Sequence, residues 1–161
     1  METKELRCCP ERFPELQSYD YLCWIDSKMV FTSWDMFEEM WKALQTSDRV
    51  VAATAHPTPY TDVWGEYHAA IRHAKYAREK ESYHRYIEDQ LAQGRDLHTP
   101  QRICCGFRLM KMTERRKELG ETWLRHIRQC GIEDQISWQF VHQLYEDAIQ
   151  IFPYRHCWAP L

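Results

Sequence analysis

Several signatures are missing from this chain, and each absence removes a class of function. No apolar run approaches the ~20 residues of a membrane span, and the polar start Met1-Glu2-Thr3-Lys4-Glu5 lacks a signal-peptide core. The expectation is a soluble, cytoplasmic protein. There is no glycine-rich phosphate loop, no Gly-x-Ser-x-Gly elbow and no His-Glu-x-x-His, which disfavours phosphoryl-transfer NTPases, α/β-hydrolases and zincins. With a net charge of only -3 and a pI near 6.2, the chain has no electrostatic footprint for nucleic acid or an anionic membrane. Its 7 cysteines include the adjacent pairs Cys8-Cys9 and Cys104-Cys105, without the two-residue separation of zinc knuckles, and read as reduced, mostly buried thiols. Repeats, low-complexity tracts and linkers are absent too, so residues 1–161 read as one domain.

What the chain does have is apolar and aromatic bulk. Hydrophobic residues make up 44% and aromatics 14%, with 7 Trp and 9 Tyr, enough for a packed core or for stacking on carbohydrate. Leu22 to Ile25 is apolar without alternation, which predicts a strand covered on both faces, as in parallel α/β sheets. Asp26 then falls at the strand's carboxyl end, the edge where open α/β sheets bind ligands; the alternative is a turn-forming Asp26-Ser27 pair. Met29-Val30-Phe31 continues extended, and Thr32 or Ser33 can cap a helix carrying Phe37, Met40, Trp41 and Leu44 at helical spacing. Arg49 to Thr54 is a second buried strand, completing a strand-helix-strand unit and ending in the turn His56-Pro57-Thr58-Pro59-Tyr60.

From Thr61 or Asp62 the pattern is helical through Leu91, with a bend expected near Ser82 and an end at Gly94. Arg102 to Leu109 reads as a third strand, whose central Gly106 lets another group approach the backbone. Thr113 caps a helix through Leu119, Trp123 and Ile127 that Gly131 ends, and Glu114-Arg115-Arg116-Lys117 reads as its solvated face. Asp134 opens a last helix through Ala148, and the aromatic tail from Ile151 to Trp158 reads as irregular.

Strand ends and helix starts gather Asp26, Lys28, His56, Glu66, Asp134 and Gln135, with His156 in the tail. Each has a structural alternative. Glu66 lies in a first helical turn, where the dipole favours a carboxylate; Asp134 is placed to be an N-cap; His56 suits a turn and His156 a surface. His68 and His73 are five apart, which is not the i, i+4 spacing of a zinc helix.

Taken in order, Tyr21-Leu22-Cys23-Trp24-Ile25-Asp26-Ser27-Lys28, His56-Pro57, Glu66, Gln90-x-x-x-Gly94, Gly106-Phe107-Arg108, Trp123 and Glu133-Asp134-Gln135-Ile136-Ser137-Trp138 resemble a glycosyltransferase pattern. The family is the GT-A-type group that includes plant cell-wall and mucilage transferases and capsid-glycosylating enzymes of large DNA viruses. The resemblance runs from about Cys9 onward. It implies a partial GT-A-like α/β fold, a mixed sheet flanked by helices, that transfers a sugar from a nucleotide diphosphate to a hydroxyl of a glycan or protein acceptor. Only about 20 residues precede the first strand, whereas the family's nucleotide-binding strand-helix-strand unit takes ~30; a separate chain supplying that unit, a truncated gene or a different donor mode would each account for this.

By the same resemblance, Asp26 and Lys28 bind the donor diphosphate, His56, Glu66, Arg108 and Gln135 bind substrate, and Asp134 binds or deprotonates the acceptor hydroxyl. A Mn²⁺ or Mg²⁺ ion would be held by Asp26 and His156. The family's Asp-x-Asp is here Asp26-Ser27-Lys28, and the Lys28 charge makes a metal-independent version possible. The alternatives are a degenerate, non-catalytic module that binds glycan or a protein partner, and a structural protein whose aromatics are simply core.

Overall fold

The computed structural model describes residues 2–27, 29–31, 34–56, 62–98, 103–154 and 158–160. Lys28, His156, the caps at Thr32 and Ser33, Thr61 and the turn residues 57–60 lie outside them. Helix α1 (Glu2–Cys8) leads through two short 3₁₀ turns to β1 (Tyr21–Ile25), β2 (Met29–Phe31), α2 (Asp35–Thr46) and β3 (Val51–Ala55). Three helices follow, α3 (Val63–Ala70), α4 (Ala74–Ala77) and α5 (Lys80–Ala92), and then β4 (Ile103–Lys111). The chain closes with α6 (Glu114–Cys130), α7 (Asp134–Leu144), β5 (Ile149–Phe152) and β6 (Trp158–Pro160), the last paired with β2.

The main sheet has the order β1-β4-β3-β5. Both β1 and β3 pair antiparallel with β4, so they point the same way with β4 between them, and β5 runs parallel to β3. The result is a mixed, open sheet flanked by helices. The expected burial of β1 on both faces is not found. β1 is an edge strand, with Cys23 exposed and Tyr21, Leu22, Trp24 and Ile25 only half-buried. A central and likewise mostly apolar strand, β3, is buried at every residue; an apolar run specifies a strand but not its place in the sheet.

Side chains alternate between the two faces. Ala52, Phe107 and Leu109 meet α2, whose Met36, Met40 and Leu44 recur every fourth residue as a single buried stripe. On the other face Val51, Ala53, Ile103 and Met110 pack under Leu119, Trp123 and Ile127 of α6 and Trp138 and Val141 of α7. Beyond these helices, α3 and α5 share a third cluster containing Val63, Tyr83, Tyr86, Ile87, Ile136 and Phe140. To bring both helices onto that cluster the chain breaks at Ile71–His73 and again at Arg78–Glu79, earlier than the bend expected near Ser82.

Asp62 and Thr113 cap α3 and α6 as expected, accepting from Gly65 N at 2.7 Å and Arg116 N at 3.3 Å. At α7 the cap is Glu133, accepting from Gln135 N at 3.1 Å, which frees the Asp134 carboxylate. This helix stops at Leu144, short of Ala148, because Ile149–Phe152 is drawn into the sheet beside β3. The tail is thus partly strand. Arg116, expected on a solvated face, is 2% exposed: it donates to the Cys8 carbonyl at 2.9 Å and pairs with Glu11. No helix among the described residues is long and apolar enough to cross a membrane.

Candidate functional site

The site begins with a bulge in β4. Ala53 pairs with Arg108 but Ala55 with Ile103, so the register slips between them and Gly106 is left at the end of β1. Asp26 N donates to Gly106 O at 2.8 Å. A Cβ on Gly106 would fall on the Met29 side chain and lie 3.1 Å from Asp26 Oδ2, so the close approach expected at this glycine is present; Met29 approaches nearest and the Asp26 carboxylate comes next. Trp24 and Asp26 are two apart on an extended chain and therefore share a side; the indole N–H donates to Asp26 Oδ1 at 2.9 Å.

A cleft of about 630 Å³ opens at the carboxyl ends of β1 and β3, walled by α1, α3, α4 and the start of α7. It brings together Asp26, His56, Glu66, Asp134 and Gln135, contributed by four separate parts of the chain. Gln135 is committed to the bulge: its Oε1 accepts from Cys105 N at 3.2 Å and its Nε2 donates to the Ile103 carbonyl. It acts as a clasp for β4. Arg108 does not reach the cleft. It pairs in register with Trp24 and Ala53 and lies under α6, where its guanidinium is 4.4 Å from the Trp123 ring centroid and donates to the Arg7 carbonyl at 2.6 Å. Burial, and after it the charge of Arg7, brings its pKa down to about 10, so it remains charged at neutral pH. Arg108, expected to bind substrate, is thus placed outside the cleft lining and holds α1 and α6 together.

Two cations that sequence reasoning passed over complete the site, both from α1. Lys4 Nζ is 2.6 Å from Asp134 Oδ2, and Arg7 pairs with the same oxygen. Arg7 also donates to the Cys105 carbonyl and stands 3.5 Å from Asp26 Oδ1. Burial alone would raise the Asp134 carboxyl, but Arg7 and then Lys4 outweigh it and hold the group below the ordinary range. The cause is thus ion pairing rather than the backbone N–H groups expected of a helix cap. Its neighbour Glu133 goes the other way: burial first, and the Asp134 charge second, push it up, partly offset by the Gln135 N–H, Lys4 and the Tyr76 hydroxyl. Tyr76 is itself pushed up to about 12 by burial and by Glu133. The only sequence signal for Lys4 and Arg7 is their i, i+3 spacing.

These residues do not fit a divalent cation. Hard cations want several uncommitted oxygen ligands, whereas Asp26 and Asp134 already receive Trp24, Arg7 and Lys4. Among the described residues no group of 3 or more His, Cys, Asp or Glu is arranged around a common metal position. No family model, curated protein or solved structure matches the chain.

Proposed function

We propose that the cleft handles a sugar, and that the protein transfers it from a nucleotide-diphosphate donor to a hydroxyl acceptor, in the manner of the transferases its sequence resembles. One observation carries this: Asp26, His56, Glu66, Asp134 and Gln135, picked out by order along the chain, line a single cleft at the carboxyl ends of two like-directed strands. Asp26 and Asp134 serve as fixed anions that accept hydrogen bonds from sugar hydroxyls. Lys4 and Lys75, both on the cleft wall, offer ammonium groups to phosphate. Glu133 exchanges a proton with the acceptor hydroxyl more readily than Asp134, whose two cations make it a weak base.

Incubation with a panel of nucleotide-diphosphate sugars and simple glycan acceptors tests this, with release of nucleotide diphosphate as the readout. Release from at least one donor, reduced at least about tenfold in Glu133→Gln, is expected; no release from any donor in wild type rules transfer out. The clamping of Asp134 by Lys4 and Arg7 favours a second reading, a non-catalytic glycan-binding module. Glycan binding without donor turnover would select it.

A further inference from the structure

Arg7 lies at the end of α1, and its guanidinium is shared between the two acids. One terminal nitrogen donates to Asp134, and the other donates to the Cys105 carbonyl and stands 3.5 Å from Asp26 Oδ1. The rings of Trp24 and Trp123 flank it, with centroids 5.4 and 5.5 Å away. α1 is fixed in turn: Arg108 donates to the Arg7 carbonyl, Arg116 donates to the Cys8 carbonyl, and Gly120 leaves the room that Cys8 O needs. The charge is therefore part of the fold, not carried on a lid. A divalent ion shared by Asp26 and Asp134 would sit beside this guanidinium and the Lys4 ammonium, and like charges repel strongly where water is scarce.

We propose that Arg7 is the resident counter-cation of the cleft, holding Asp26 and Asp134 where a divalent metal would otherwise bridge them, so that the ligand binds without a metal ion. Lys4 faces the ligand instead: its side chain is 23% exposed, and one of its three ammonium protons serves Asp134. That this ligand is a sugar or sugar phosphate rests on the reading above. The replacement of metal by guanidinium does not, and its test uses neither sugar nor nucleotide.

Mn²⁺ binding, followed by electron paramagnetic resonance of the free ion, is compared in wild type, Asp26→Asn, Arg7→Lys and the double variant Lys4→Gln/Arg7→Gln. Wild type and Arg7→Lys should show no stoichiometric site. The double variant should gain a one-to-one site at least about tenfold tighter than any wild-type binding, and adding Asp26→Asn should remove it. Stoichiometric Mn²⁺ binding to wild type that Asp26→Asn abolishes overturns the proposal, as does a folded double variant that gains no affinity. Should circular dichroism show the double variant unfolded, wild-type melting decides: equal midpoints in EDTA and in Mn²⁺ uphold the proposal, and a Mn²⁺-dependent rise lost in Asp26→Asn defeats it. Failure of every nucleotide sugar to bind, with the Mn²⁺ results as expected, would remove the sugar reading and leave the counter-cation in place.

Discussion

On one face of the sheet α2 lays Met36, Met40 and Leu44 onto Ala52, Phe107 and Leu109, and the contacts are aliphatic and aromatic. On the other face the apolar layer under α6 and α7 is joined by Arg7, Arg108 and Arg116, which are 6%, 2% and 2% exposed. A face that needed only stability would fill that space with apolar side chains, since guanidinium groups lose hydration on burial and regain it only through well-made pairs. Here the pairs are made with α1 carbonyls, with Glu11 and with the two acids of the cleft. The difference separates a face that holds the molecule together from one that positions charge.

Asp134→Ala should break this contrast most severely. It leaves Arg7 and Lys4 without their shared anion and is expected to lose about 3–5 kcal/mol, read from urea unfolding at neutral pH. On the apolar face Leu44→Ala should lose about 3 kcal/mol by opening a cavity. The two losses differ in their response to acid. Because the Asp134 carboxyl is held below its ordinary value, the stability it contributes is complete above the unfolded carboxyl pKa of ~4 and is lost as pH falls through the lower folded value. The gap between wild type and Asp134→Ala should therefore narrow in acid, while the Leu44→Ala gap stays constant.

A smaller effect is expected at the joint between α1 and α6. Gly120→Ala drives a methyl group into the Cys8 carbonyl, and with the α1 backbone in the way the cost should be about 1–3 kcal/mol, measured as a lowered urea midpoint. The mildest case lies away from both faces. Tyr86 and His126 share a hydrogen bond of 2.7 Å, and burial, then Arg125 and Arg95, lower the His126 pKa to about 4. The stability this neutral histidine contributes is complete above the unfolded histidine value of ~6.5 and falls away as pH drops toward the folded value. His126→Gln should flatten the stability curve across that interval and leave the cleft untouched.

Much of this was legible along the chain, and what was not has physical causes. α2 and α6 announce themselves by apolar spacing and, for α6, by Thr113 and Gly131, because helix signals are local. β1 was recognisable as a strand but not as an edge, since its neighbour β4 lies some eighty residues further on. β5 was hidden: Ile149-Gln150-Ile151-Phe152 follows a helical pattern, and only pairing with β3 makes it a strand. Of the site, Asp26, His56, Glu66, Asp134 and Gln135 do converge, whereas Arg108 is buried against Trp123 of α6, a packing that its own strand pattern does not mark. Arg7 and Asp134 are 127 residues apart, so the pair that governs the cleft's charge leaves no trace in spacing.

The central claim is that the cleft lined by Asp26 and Glu66 takes a sugar donor. Thermal-shift titration of wild type, Asp26→Asn and Glu66→Gln with nucleotide-diphosphate sugars tests it most directly. A rise in melting temperature with at least one donor, lost in both variants while their unliganded midpoints remain cooperative, is the predicted result; a wild-type protein that no donor stabilises, or a shift that both variants retain, would contradict it.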